Sequence, residues 1–234
     1  MYAGANNSIC HFTITQVVSY CDFDLKNFPF DRQLCNFSYV IDDEKHTDLL
    51  IKIIDYSFAG NKILSEYKVT NFQNFSSAYK EFSQLTFTIE LENMYTYYLS
   101  SIYIPTSLIL VISYFPFWFG IHDFSNRIMV SLTSLLVLSA LFSQVSSSLP
   151  LTSYLKLIDL WCLFCIVISF IIICLLVLVN YVDKPIKVYT NDTNNWKHTF
   201  QNINFLNKAF KIIIGFLIIF FVIFYTGIVI YIKY

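Results

Sequence analysis

The sequence predicts a mixed membrane protein: a partial extracellular antiparallel β-sandwich followed by a four-helix transmembrane bundle. Three observations carry that reading. Only 13% of the 234 residues are charged and 56% are apolar, whereas a soluble domain carries roughly 25% charged residues. Four long charge-free stretches follow one another after Glu92. The part before them holds twelve acids against seven bases from Met1 to Tyr98, in short β-rich runs. Residues 1–96 are therefore expected to form the β part and 97–234 the bundle.

Residues 10–92 show no long helical period. The β-rich runs are Phe12–Tyr20, Leu34–Ile41, Leu49–Ile54 and Leu85–Leu91. The last alternates, with Leu85, Phe87, Ile89 and Leu91 on one face and Thr86, Thr88 and Glu90 on the other. These are too few strands to close a sandwich. No basic start or apolar run near Met1 reads as a secretory signal. The expectation is a chain truncated at its N-terminus.

A bilayer crossing needs about 20 predominantly apolar residues. The stretches within Asn93–Ile121, between Arg127 and Lys156, between Asp159 and Asp183, and over Ile212–Ile232 meet that need. They place spans at 97–120, 127–148, 155–181 and 210–232, with a short cytoplasmic loop at 182–209. The segment from Asn180 to Lys211 carries five lysines against two aspartates. A short basic connection faces the cytoplasm, so the β part and the C-terminus are expected outside a plasma membrane. The sequons at Asn6, Asn36 and Asn74 then fall outside and that at Asn191 inside.

Cys162, Cys165 and Cys174 lie in the third apolar stretch. The Cys162–Cys165 spacing is that of a redox or metal pair, but inside such a stretch the cysteines read as small polarisable packing residues. Cys10, Cys21 and Cys35 lie outside, where disulfides persist. Cys21 and Cys35 enclose thirteen residues, and a bridge over such a loop stabilises by roughly 3 kcal/mol. Cys10 is left over. His11, His46, His122 and His198 are scattered, with no nucleophile–base or metal cluster. Nothing here points to an enzyme, a cofactor or a nucleic-acid partner.

The second span can be read on its own. At helical spacing Met129, Thr133, Leu136, Ala140, Ser143 and Ser147 fall on one stripe. A hydroxyl-bearing stripe with one bulky apolar step suits a water-filled pore with a hydrophobic constriction. The alternative is interhelical Ser/Thr hydrogen bonding in a closed bundle.

The stretch from Cys21 to Cys35 resembles the signature loop of the Cys-loop pentameric ligand-gated ion channels. That signature is two cysteines thirteen residues apart with a Phe-Pro-x-Asp tip, here Phe28, Pro29, Phe30 and Asp31. Downstream, Tyr97, Tyr98, Ile104, Pro105, Ser113, Phe117 and Trp118 are similar to the family's first helix. Ser148, Leu149 and Pro150 are similar to the connection after its second. Tyr154, Lys156, Asp159 and Trp161 resemble the opening of its third, and Val179, Asn180 and Tyr181 the close. The resemblance runs from about Phe12 onward.

The resemblance implies a Cys21–Cys35 disulfide, a coupling loop with its tip on the membrane helices, and a gate at Leu136. It implies a homo- or hetero-pentamer, a small-molecule transmitter and a lipid environment. Ser125-Asn126-Arg127 stands where anion-selective members have Pro-Ala-Arg and cation-selective members have Glu beside the basic residue. That pattern is closest to the invertebrate glycine/GABA/glutamate-gated chloride channels, with Arg127 as a ring of positive charge at the inner mouth. Asp123, about a turn away, argues for cations. In the expected transmitter loops Asp42 replaces an aromatic residue, and Tyr79 and Phe82, in a loop near 74–84, are the candidate ligand contacts. Asn93 stands where many members carry an arginine that pairs with the loop's acid, so Asp31 is expected to meet Lys156, or a group in the absent N-terminal portion, instead. A non-conducting or modulatory subunit, a cation-selective member, and an unrelated four-span adhesion or scaffold protein are the competing readings.

Overall fold

Strand pairing and apolar helix separate along the chain where the charge distribution changes. The computed structural model describes residues 14–41, 57–79, 82–121, 123–150, 152–189 and 193–233. Three strands, β1 (Arg32–Ile41), β2 (Tyr67–Tyr79) and β3 (Phe82–Asn93), form an antiparallel sheet in the order β1-β3-β2. The expected runs Leu34–Ile41 and Leu85–Leu91 lie inside β1 and β3. Leu85, Phe87, Ile89 and Leu91 stand opposite Tyr39, Phe37, Cys35 and Gln33. On the other face the Thr88 hydroxyl donates to Asn36 Oδ1 at 2.8 Å, and the Ser38 and Thr86 hydroxyls lie 3.4 Å apart. Cys35, Tyr67, Val69 and Leu91 are buried as a small core.

Two strand expectations need correction. Residues 14–20 form no ladder with the described strands. The segment expected as a loop near 74–84 is instead the β2–β3 hairpin, with Tyr79 paired to Phe82. β2 escaped the sequence reading because its period breaks. The register slips between Val69 and Asn71, so Tyr67 and Val69 are followed on the same face by Phe72 rather than Asn71. The extra residue, Thr70, turns its hydroxyl to the Glu90 carbonyl at 3.3 Å, as befits a β-bulge. Leu49–Ile54, Asp42 and Cys10 lie outside the described residues.

Four helices follow: α1 (Thr96–Trp118), α2 (Phe124–Ser148), α3 (Leu157–Tyr189) and α4 (Thr193–Lys233). Each contains a span long and apolar enough to cross a membrane. The loop expected over 182–209 is helical up to Tyr189 and again from Thr193. Apolar run length alone ends α3 too early and begins α4 too late. An established helix instead gains a hydrogen bond for every residue added. At 41 residues, α4 is roughly 60 Å long, about twice the ~30 Å hydrocarbon layer.

α1 is irregular for a stated reason. Pro105 has no N–H to give, and Leu99–Tyr103 just before it is wound as a π-helix. In the turn that follows, hydroxyls add side-chain bonds to the main chain: Thr106 donates to Ile102 O at 2.7 Å and Ser107 to Tyr103 O at 2.5 Å. The bundle core gathers Leu110, Leu138, Ile158, Trp161, Ile168 and Tyr225 from all four helices. Gly215 of α4 permits one close approach. A Cβ there would stand 3.0 Å from the Tyr114 hydroxyl, which donates to Lys211 O at 2.7 Å.

Candidate functional site

The loop between Cys21 and Cys35 is closed by a disulfide, with a Cα–Cα distance of 5.5 Å. Gln33 ties it a second time. Its Nε2 donates to Asp24 O at 2.8 Å and to Asp31 Oδ2 at 2.5 Å, and its Oε1 accepts from Asp24 N at 3.0 Å. The tip rests on the helices. Phe28 is buried edge-on against Tyr98, with ring centroids 4.7 Å apart. Phe30 lies 5.4 Å from Tyr95 and 6.1 Å from Tyr103.

Main chain reinforces this contact. The first N–H groups of a helix lack intrahelical partners. Here Leu157 N donates to Lys26 O at 2.9 Å and Ile158 N to Phe28 O at 3.3 Å. The loop therefore caps α3. Tyr154, just before α3, accepts from Leu25 N at 3.0 Å through its hydroxyl. From Leu157 the connection continues inward. Tyr225 of α4 donates to Leu157 O at 3.3 Å and shares a 2.6 Å hydrogen bond with Tyr103 of α1.

Asp31 does not meet Lys156. It is 3% exposed and accepts from Asn93 Nδ2 at 2.8 Å and from the Tyr67 hydroxyl at 3.1 Å, besides Gln33. Lys156 instead donates to Pro150 O at 2.8 Å. The physical reason is proximity along the ladder. Arg32 stands opposite Glu92, so Asp31 and Asn93 follow directly at the sheet end, where Asn93 N also donates to Asp31 O at 3.2 Å. Burial, and after it the Asp31 carboxylate, push the Tyr67 hydroxyl far above the ordinary phenol range. It therefore remains a donor at physiological pH.

α2 has two opposed stripes. Met129, Thr133, Leu136, Ala140, Ser143 and Ser147 are all exposed, Leu136 at 69% and Met129 at 63%. Arg127, Ser131, Ser134, Leu138 and Val145 are buried against the bundle. Ser125, four residues before Met129, extends the exposed stripe by a turn, and Asn126 is exposed beside it.

Arg127 is the main correction at this site. It is 1% exposed, facing its own bundle rather than the exposed stripe. Two residues before Met129, it sits about 200° round the helix from it. Its Nε donates to Pro116 O at 2.9 Å and its Nη2 to Asn207 Oδ1 at 2.6 Å. Asn207 in turn donates to Phe117 O at 3.2 Å. Pro116 and Phe117 belong to the last turn of α1, where helix carbonyls carry partial negative charge. Nearby, Lys211 Nζ lies 3.7 Å over the Trp118 ring. Among the described residues no carboxylate lies within ion-pair distance of Arg127.

Tyr79 and Phe82 pair at the end of the hairpin, far along the ladder from the Asn93 end that meets the helices. Cys162 and Cys165 are buried in the bundle as free thiols, and Cys174 is an exposed one. Sequence reasoning missed Gln33, Tyr67 and Asn207. Asn207 is one of several amides before the fourth span, with Gln201, Asn202 and Asn204, and the sequence does not single it out. Gln33 and Tyr67 gave no signal either, since their role depends on which strands pair.

Residues 102–211 match the family model described as the neurotransmitter-gated ion-channel transmembrane region. The matched stretch takes in most of α1, all of α2 and α3, and the first part of α4. Together with four helices long and apolar enough to cross a membrane, the match supports a multi-pass membrane protein.

Proposed function

We propose that the chain is a subunit of a pentameric, anion-selective ligand-gated channel of the plasma membrane, opened by an extracellular small molecule. The observation that carries this reading is the division of α2 into a buried stripe and an exposed one. An apolar bundle surface facing lipid has no need of Thr133, Ser143 and Ser147. A water-filled axis shared by five copies does. Around it the exposed stripe would form rings, with Leu136 the bulky apolar step at mid-helix. Such a ring loses water when it narrows and regains it when it widens.

The loop tip supplies the other half of the mechanism. A movement of the sheet passes to α3 through Lys26 O and Phe28 O, and to α1 through the Phe28–Tyr98 contact. Chloride is favoured because the α2 entry offers Ser125 and Asn126 rather than an acid, with the Arg127 charge behind them. A cation-selective reading rests on Asp123, exposed at the same entry.

The test is expression at a cell surface with and without Leu136→Thr. A polar ring stays wet, so the variant is expected to carry current in the resting state. Surface-resident protein that passes no current in either form would support the modulatory, non-conducting reading.

A further inference from the structure

Arg127 is held as a full positive charge by groups that carry no formal charge. Its partners are a main-chain carbonyl at 2.9 Å and the Asn207 side-chain oxygen at 2.6 Å. Both atoms are polar enough to replace water around a guanidinium. Neither brings a formal negative charge to neutralise it. A charge in a low-dielectric interior is weakly screened, so its field reaches further than that of a hydrated surface charge. Arg127 need not touch the pore to act on ions passing it.

We infer that Asn207, on α4 and outside the pore stripe, is a specificity-determining residue. By solvating Arg127 without neutralising it, Asn207 preserves a positive potential at the inner end of the pore. The inference rests on the anion-channel reading above and extends it. Five buried guanidinium groups behind the α2 entry would attract anions through their summed field. An aspartate at 207 has nearly the shape of asparagine and would keep the 2.6 Å contact. It would turn each buried cation into an ion pair, a dipole whose field fades much faster with distance. The other nearby charges would be unchanged: Lys208 and Lys211 on α4, and Asp123 before α2. Lys211 is engaged with Trp118.

The experiment measures reversal potential under chloride dilution in channels held open by Leu136→Thr, with surface density followed by biotinylation. Asn207→Asp is expected to reduce chloride-over-sodium permeability several-fold while reaching the surface. Asn207→Gln, neutral and still an acceptor, is expected to retain the chloride preference that the aspartate loses. A purely structural role would give the opposite order, since an ion pair holds Arg127 at least as well as an amide. An unmoved reversal potential in Asn207→Asp, in a channel that starts chloride-selective, overturns the inference and leaves the anion reading standing. A starting channel that follows sodium overturns both. If Asn207→Asp fails to reach the surface, Arg127→Gln removes the same net charge, and an unshifted reversal there also overturns the inference.

Discussion

Replacing Asp31 by alanine is expected to loosen the sheet from the loop tip, and to do so through particular orphaned donors. Gln33 Nε2 would keep its bond to Asp24 O at 2.8 Å. The Asn93 amide and the Tyr67 phenol bond Asp31 at 2.8 and 3.1 Å and have no other acceptor among the described residues. A buried donor left without a partner costs about 1–3 kcal/mol, so the two together cost about 2–6 kcal/mol. Tyr67→Phe removes a donor and its bond together, and costs about 1.5–3 kcal/mol for a bond to a charged group. In the double variant the phenol is no longer there to be orphaned. The two effects should therefore fall short of additivity by about 1–3 kcal/mol. The assay is the apparent Tm of detergent-solubilised, disulfide-intact protein at one scan rate, for all four members of the cycle. At about 2–4 °C per kcal/mol for a chain of this size, the shortfall is several degrees. Additive Tm shifts would refute the network at Asp31.

Peptide mapping without reduction is expected to recover Cys21 linked to Cys35, and alkylation of both thiols in surface-expressed protein would contradict the bridge. Phe28→Ala should cost about 3–5 kcal/mol. About 0.5–1.5 kcal/mol of that should disappear in a Tyr98→Ala background if the edge-on ring contact is formed; equal losses in both backgrounds would exclude it. Asn126→Glu places an acid at an exposed position beside the α2 entry and should move the reversal potential toward sodium. An unchanged reversal would remove position 126 from the selectivity determinants.

The four apolar stretches, the loop and the α2 stripe were legible because each is a local pattern. Span length is counted along the chain, the loop is a spacing with a tip, and the stripe is a period of 3.6. What the sequence hid depends on partners. Arg127 looked like a pore charge while only its neighbours Ser125 and Asn126 were considered, and its burial follows from Pro116 and Asn207, which are distant in sequence. β2 was hidden by the bulge at Thr70, which shifts the alternation by one residue. Charge alone points Asp31 toward Lys156, whereas the ladder places Asn93 beside it first. The proposed ligand contacts are the least legible, because Tyr79 and Phe82 are only a pair at a hairpin end and the sequence offers no second group to converge on them.

The capping of α3 by Lys26 O and Phe28 O has a bearing on how this joint would be studied. Both donors and both acceptors are main-chain atoms. Alanine scanning across residues 26–28 and 157–158 would leave all four in place and would register the packing losses at Phe28 and Ile158 and the loss of Lys26's own contacts. The joint could thus tolerate wide drift in side-chain identity while its mechanical continuity is kept, and a mutational map would rank it as less important than it is. Replacing single peptide links by esters would expose it. An ester at Ile158 deletes the N–H that Phe28 O accepts while every side chain stays in place.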